Sequence, residues 1–347
     1  MALTIRFIKC IGTLLFSISL PFAAAQSYKV IDLGTFPGGT VSQGQALNDC
    51  GRVVGYARFA NFNAHGFLWT RRGGLQDLGA IPPESNFSVA QAINSHGIIA
   101  GYSTYNNDPY GLTHPVLWID GFVDDLGTLP GSDDAQAMGI NDNEEVVGFS
   151  VSHAFLWTQK DGMRNLGTLS GGYYSQALAI NQQGEVAGLS NAADGNWHGF
   201  VWTAWGGMQP LPYLSPGDTS ASANGINDLG EIVGGVSQDY SGIYAVLWDQ
   251  NGHIENLGVL PGQGWSTAFA INDREQVVGW SGFRAFIWTR ARGIQDLNKL
   301  IPANSGWFLS LPTAINNRGQ ITGQGLINGQ DHGFLLTPAH EPYWGCE

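Results

Sequence analysis

Apolar and polar positions follow one another in short runs along the whole chain. In HAFLWT, residues 153–158, an extended strand would place His153, Phe155 and Trp157 on one face and Ala154 and Leu156 on the other. Both faces then carry apolar side chains, the pattern of a strand covered on both sides. The run returns as HGFLWT at 65, HGFVWT at 198, RAFIWT at 284 and HGFLLT at 332, and more loosely as HPVLWI at 114 and YAVLWD at 244. A second pattern ends in a small residue, then Leu or Ile, then Asn. Its asparagines are Asn48, Asn94, Asn141, Asn181, Asn227, Asn272 and Asn316, spaced by 46, 47, 40, 46, 45 and 44 residues. A glycine follows each by seven: Gly55, Gly101, Gly148, Gly188, Gly234, Gly279 and Gly323.

Turn chemistry places the strands within a unit. In the first, residues 44–47 form strand a, Asn48, Asp49, Cys50 and Gly51 a tight turn, and residues 52–56 strand b. Residues 66–70 form strand c and 75–78 strand d, with a turn between them. Asparagine suits the first turn because its side chain can bond its own backbone, and glycine supplies positive φ. Glu144 and Glu275 stand in place of that glycine in two units, so those two turns are expected to differ. Seven repeats of this length predict an all-β fold, a seven-bladed β-propeller of four-stranded blades. The seventh unit lacks strand d, and residues 28–33, YKVIDL, match the strand-d segments LQDLG, VDDLG, MRNLG and IENLG. The N-terminal strand is therefore expected to complete the last blade and close the ring, which removes an exposed edge.

The ends of the chain modify this picture. Residues 1–25 carry Arg6 and Lys9, an apolar run over 11–22 and Ala23-Ala24-Ala25 before Gln26, the pattern of a secretory signal peptide. The organisation expected is a leader over 1–25, the propeller over 26–337 and a tail over 338–347. No later segment is long and apolar enough to span a bilayer. Cleavage removes two of 15 basic residues and none of the 28 acidic ones, leaving a net charge of −15. Nucleic acid is thereby excluded as a partner, and a secreted monomer is expected, in the periplasm or outside the cell.

The HAF stretch at 153–155, the AIN-x-x-G-x-V-x-G segments and the LGTLPG segments resemble the HAF family of tandem repeats, found in exported bacterial proteins. The resemblance covers residues 28–337 and implies export and tandem repetition. It implies no catalytic or ligand residue. The chain departs from the motif at Tyr244 and Arg284, which replace the histidine, and at Leu336, which replaces the tryptophan.

Candidate chemistry is sparse. The repeat histidines His65, His114, His153, His198 and His332 begin strand c, the third from the axis. With strands ~4.8 Å apart their ring has a radius of ~16 Å, which leaves neighbours ~14 Å apart. Zinc needs ligands about 2 Å away, so these side chains are expected to pack or to bond nearby backbone. The ring of asparagines is read as turn-forming in the same way. No nucleophile elbow, zinc-binding helix, C-x-x-C or phosphate loop is present, and no catalytic residue, metal or cofactor is assigned. Asp142 and its neighbours are expected to form a solvated turn; Asp133 and Asp134 are a candidate cation or ligand pair.

Loop length separates the two faces. From the repeat glycine to the Phe or Val of strand c the count runs 12, 15, 7, 12, 12, 7 and 11, whereas the a-to-b turns are constant. Variable loops on a rigid scaffold are where binding is usually found. The d-to-a loops contribute Phe87, Tyr173, Tyr174, Trp265 and Trp307, and the b-to-c loops Tyr105, Tyr110, Trp197 and Tyr240. These rings, beside amides and carboxylates, are the candidate site for an extracellular glycan or protein, and packing of the rim is their alternative role. The alternative function is a hydrolase or lyase acting on an extracellular polysaccharide.

Cys10 leaves with the leader, so the exported chain keeps Cys50 and Cys346, a candidate disulfide in an oxidising compartment. Non-reducing peptide mapping of the exported protein is expected to recover the Cys50 and Cys346 peptides joined. Two alkylatable thiols would rule the bond out.

Overall fold

The computed structural model describes residues 27–81, 86–105, 111–237 and 242–340. The expected leader, and Cys346 with it, lie outside the described residues. The fold is an all-β propeller of antiparallel sheets, and the one helix among the described residues is the 3-10 turn Leu297–Lys299. In the first repeat, Ser42–Leu47, Val53–Arg58, Ala64–Thr70 and Gly74–Gly79 are strands a to d, paired in that order.

Five separate sheets are four-stranded, and a sixth is eight-stranded. The expectation of seven separate blades is corrected here, because the fourth and fifth repeats share the larger sheet. They meet at one parallel bridge, Trp197 to Ser220, beside which Trp197 N–H donates to the Thr219 carbonyl at 3.2 Å. The same parallel contact recurs between Ala64 and Phe87 and between Asp331 and Val41, where it stays an isolated bridge and the sheets remain separate.

Tyr28–Asp32 pairs antiparallel with Gln330–Pro338, in the register Tyr28 to Pro338 and Asp32 to Phe334. It is the outermost strand of the sheet that holds the last repeat.

The core lies between neighbouring sheets. Phe67, Phe155, Phe200, Phe286 and Phe334, all in strand c, have no exposed surface. Trp69, Trp118, Trp202, Trp248 and Trp288 are buried with them, as expected for strands covered on both faces. Burial of each such ring contributes about 2–3 kcal/mol. Serines stitch adjacent sheets: Ser88 Oγ donates to the Gly79 carbonyl at 2.7 Å and accepts from Gly66 N–H at 2.9 Å. Ser42, Ser175 and Ser266 repeat that pair of bonds.

The repeat glycine has a steric cause. A β-carbon at Gly55, Gly101, Gly148, Gly188, Gly234, Gly279 or Gly323 would run into a strand-a carbonyl, that of Gln43 in the first case and Leu311 in the last. Strand a carries an irregularity at this level in every repeat, such as Gly44 to Ala46. The turn before it obeys one geometry throughout. Glu144 and Glu275 take φ of 61° and 53°, close to the 72° of Gly51, so the expectation that their turns differ is overturned. The backbone bonds of the turn dictate the left-handed residue whether or not a glycine supplies it, at a cost of about 1 kcal/mol for glutamate.

Candidate functional site: the loop face and the axial cavities

Each repeat asparagine is buried and does two things. Its Oδ1 accepts N–H groups of its own turn, as Asn181 does from Gln183 at 3.1 Å and Glu185 at 2.9 Å. Its Nδ2 donates to the carbonyl of the next repeat asparagine. The bonds run from Asn48 to Asn94, Asn141, Asn181, Asn227, Asn272 and Asn316, and from Asn316 back to Asn48 at 3.0 Å. The turn-forming role read from sequence is present, and a link between repeats accompanies it.

Two cavities lie along strand a. One, of about 340 Å³, is at the turn end and is lined by five of the seven repeat asparagines and by Asp49, Asp142, Asp228 and Asp273. The other, of about 550 Å³, lies toward the d-to-a loops and is lined by polar Gln45, Gln91 and Asn224 together with apolar Met138, Leu178 and Phe269. Leu47, Ile140, Ile226 and Ile271 line both and form an aliphatic collar between them.

The carboxylates of the turn end are structural. Asp142 Oδ1 accepts from Ser95 N–H at 2.8 Å, Asp228 from Gln182 and Asp273 from Asp228, so the turn at Asp142 also links neighbouring repeats, through a solvent-exposed bond. Burial, together with the charges of Asp273, Asp142 and Asp49, holds the Asp228 carboxyl above its ordinary range. Burial and Glu275 likewise push Glu231 up, while Arg290 holds Glu275 down.

Four of the five repeat histidines bond carboxylates, a partner the sequence reading did not name, and His65, His114 and His198 also pack against aromatic rings, as that reading expected. His65 Nδ1 lies 3.0 Å from Asp77, His114 Nδ1 2.9 Å from Asp125 and His332 Nδ1 3.0 Å from Asp32. The partner is the aspartate of the strand-d D-L-G segment. In the sixth repeat Arg284 takes the histidine's place and pairs with Asp296 at 3.1 Å. Where strand d has Asn165 instead, His153 meets Ser152 Oγ. Burial pushes the Asp77 carboxyl up, but hydrogen bonds from His65 and Gly79 N–H outweigh it and hold the group below its usual value. In the fourth repeat His198 Nε2 meets both Asp194, at 3.0 Å, and Tyr213 Oη, at 3.3 Å. Burial and the charges of Asp194 and Asp218 push the Tyr213 phenol up to about 12, so it is not a base at neutral pH.

The described sequence-selected rings fall into separate contacts in different repeats. Tyr174 meets Trp197 edge to face at 5.4 Å, and Tyr173 beside it is 74% exposed. Tyr105 stacks on His114 at 4.2 Å, and Phe87 lies against Tyr102. Trp307 sits within strand Trp307–Ile315 and packs on the buried Phe334. Tyr110 and Tyr240 lie outside the described residues. Asp134 accepts from Thr113 N–H and Oγ1, both at 2.8 Å, and its neighbour Asp133 is exposed. No group of three His, Cys, Asp or Glu side chains placed to hold a metal occurs among the described residues.

The densest cluster is in the sixth repeat. Trp265 meets Trp280 at 4.7 Å and Phe283 at 5.8 Å, both edge to face, and Phe269 lies 6.2 Å from Trp280. Beside it, between the fifth and sixth repeats, is a cavity of about 320 Å³ lined by Ser220, Ser222, Thr267, Asn224, Phe269 and Trp280 among others. Sequence reasoning selected Trp265 and missed Trp280, which follows a repeat glycine and reads as one more core strand position. It missed the serines because they show only when the repeats are set against one another.

No family model matches the chain, and no curated protein matches it. Solved structures match it in fold. A streptogramin B lyase structure is 11% identical with a TM-score of 0.60, over 90% of this chain and 98% of that one. Virginiamycin B lyase from Staphylococcus aureus is 13% identical at 0.58, over 89% and 99%. Oligogalacturonate lyase in complex with manganese is 10% identical at 0.60, over 91% and 95%. Such identities show the β-propeller fold alone.

Asp228→Asn keeps an acceptor for Gln182 N–H and removes the charge that burial and three neighbouring aspartates disfavour. A raised carboxyl pKa means that the folded state takes up its proton more readily than the unfolded state, so the wild-type penalty is greatest at neutral pH and fades as the pH falls through that raised value. The variant is expected to melt about 1–3 °C higher at pH 7, with the difference gone near pH 4. A thermal midpoint that is lower at pH 7, or a difference that grows with acid, contradicts the assignment.

Proposed function

We propose that this protein is an exported β-propeller that binds an extracellular glycan through its d-to-a and b-to-c loops. The observation that carries the reading is the Trp265, Trp280 and Phe283 cluster beside a cleft lined with hydroxyls. Aromatic faces cover the apolar side of a sugar ring, and hydroxyl and amide groups satisfy its polar edge. Phe283, 72% exposed, and Tyr173, 74% exposed, extend apolar surface on the same face. The carboxyls with raised pKa, Asp228 and Glu231, belong to the opposite, turn end of the fifth repeat. No helix among the described residues is long and apolar enough to cross a membrane.

The same proposal takes the scaffold as a ring of seven functional blades closed by the N-terminal strand. The two halves of the eight-stranded sheet touch at a single parallel bridge and each is antiparallel within itself, which supports two blades there. The asparagine bonds that return from Asn316 to Asn48 and the pairing of Tyr28–Asp32 with the last repeat support closure. Export and membership of the HAF repeat family complete the reading, and rest on the leader-like N-terminus and the repeated motifs.

A glycan array probed with the purified exported protein is the direct test. Binding to at least one glycan class is expected, with Trp265→Ala weakening it about tenfold, in line with the loss of one aromatic contact of about 1.5 kcal/mol. Tyr173→Ala, at an exposed position, is expected to leave the thermal midpoint in place and reports on the same face if Trp265→Ala is poorly folded. Absence of binding to any glycan, or affinities untouched by both changes, contradicts the reading.

A further inference from the structure

Setting the repeats against one another shows that the fifth departs from the rest in one place. At this level strands a and b set two space-filling side chains opposite one another: Gln43 with Tyr56, Val89 with Tyr102, Gln136 with Phe149, Gln176 with Leu189 and, in the seventh repeat, Leu311 with Gln324. In the sixth repeat the pair is Thr267 and Trp280. In the fifth it is Ser222 and Gly235. Two residues earlier in strand a, where other repeats carry Val41, Phe87, Tyr174 or Trp265, the fifth has Ser220. Side chains that fill this level elsewhere are missing from both strands at once.

The space they vacate is the cleft of about 320 Å³ between the fifth and sixth repeats, at the small end of the ~300–1,000 Å³ range of ligand sites. One wall is hydroxylic, from Ser220, Ser222 and Thr267, and the other aromatic, from Trp280 and Phe269. Trp280 Nε1 is buried beside it with no hydrogen-bond partner. Not one of its lining side chains is charged. Hydroxyls donate and accept and have no preference for a charged partner, whereas an anionic sugar would enter without a cation to meet it.

We propose that this cleft is a subsite for one neutral hexopyranose unit of the bound glycan, its ring face on Trp280 and Phe269 and its hydroxyls on Ser220, Ser222 and Thr267. The assignment rests on the glycan-binding reading and narrows it to an uncharged sugar at one place on the loop face. The empty level in the fifth repeat sets its position, and the neutral lining sets its selectivity.

The test uses the exported protein with neutral glucose, mannose and galactose trisaccharides and with tri-galacturonate, read by tryptophan fluorescence and calorimetry. Ser222→Gln restores the side chain that three other repeats carry, so it fills the cleft without a foreign residue in the strand. A neutral trisaccharide is expected to bind the wild type, and Ser222→Gln to weaken it about tenfold or more with the thermal midpoint unchanged. Ser222→Ala, which keeps the space and removes one hydroxyl, is expected to weaken it only a few-fold. Tri-galacturonate is expected neither to bind nor to compete. Binding equal in Ser222→Gln and wild type, or preference for the uronate, overturns the subsite and leaves glycan binding standing. Absence of binding by every glycan tried overturns both.

Discussion

The structure depends on the double duty of one side chain. An asparagine amide has an acceptor and a donor on opposite sides of a short stem, and each repeat spends the acceptor on its own turn and the donor on the next repeat. Aspartate could cap the turn but has no proton to pass on. Serine is too short to do both. The asparagines are buried, so an unmade bond would leave a backbone group without water, at a cost of about 1–3 kcal/mol each. Local turn geometry and the placing of one repeat beside the next are thereby fixed by the same residue, which accounts for its presence in every repeat while the loops around it vary.

That link explains what could be read from the chain and what could not. The asparagine turn, the glycine seven residues on and the HAFLWT strand are local signals repeated seven times, so the propeller was legible from them. The histidines were legible as structural, but not their partners. His332 bonds Asp32, 300 residues away in sequence, and the rule that a strand-d aspartate followed by leucine attracts a His or Arg from strand c appears only once the strands are paired. Glu144 and Glu275 misled in the other direction, because turn hydrogen bonds impose φ more strongly than a glutamate resists it. The shared sheet of the fourth and fifth repeats turns on one bridge at Trp197, a contact between repeats that recurs at Ala64 and Asp331 as an isolated bridge and shows only once the strands are paired.

The candidate site was half visible. Trp265 stood out as a ring in a variable loop, yet its meaning comes from neighbours that look like core in isolation. Trp280 is one of them, and Ser222 is notable only against Gln43, Gln136 and Gln176 at the same place in other repeats. Function here arises where one repeat departs from a scaffold the rest maintain. The two ends of the molecule divide accordingly: four aspartates and the asparagine bonds occupy the turn end, and the loop end carries rings and hydroxyls.

The central claim is that seven equivalent asparagines form one closed circuit, and it is tested most directly at the link from the last repeat to the first, Asn316 to Asn48. Asn181→Ala and Asn316→Ala each remove the one Oδ1 acceptor that takes two turn N–H groups and the Nδ2 donor to the next repeat, whose acceptor is the Asn227 carbonyl in one case and the Asn48 carbonyl in the other. Equilibrium denaturation of both variants is expected to show losses of about 3 kcal/mol or more that agree within about 1 kcal/mol. A loss below about 1 kcal/mol for Asn316→Ala beside a large one for Asn181→Ala would mean that the circuit is open between the last repeat and the first, and would contradict the account.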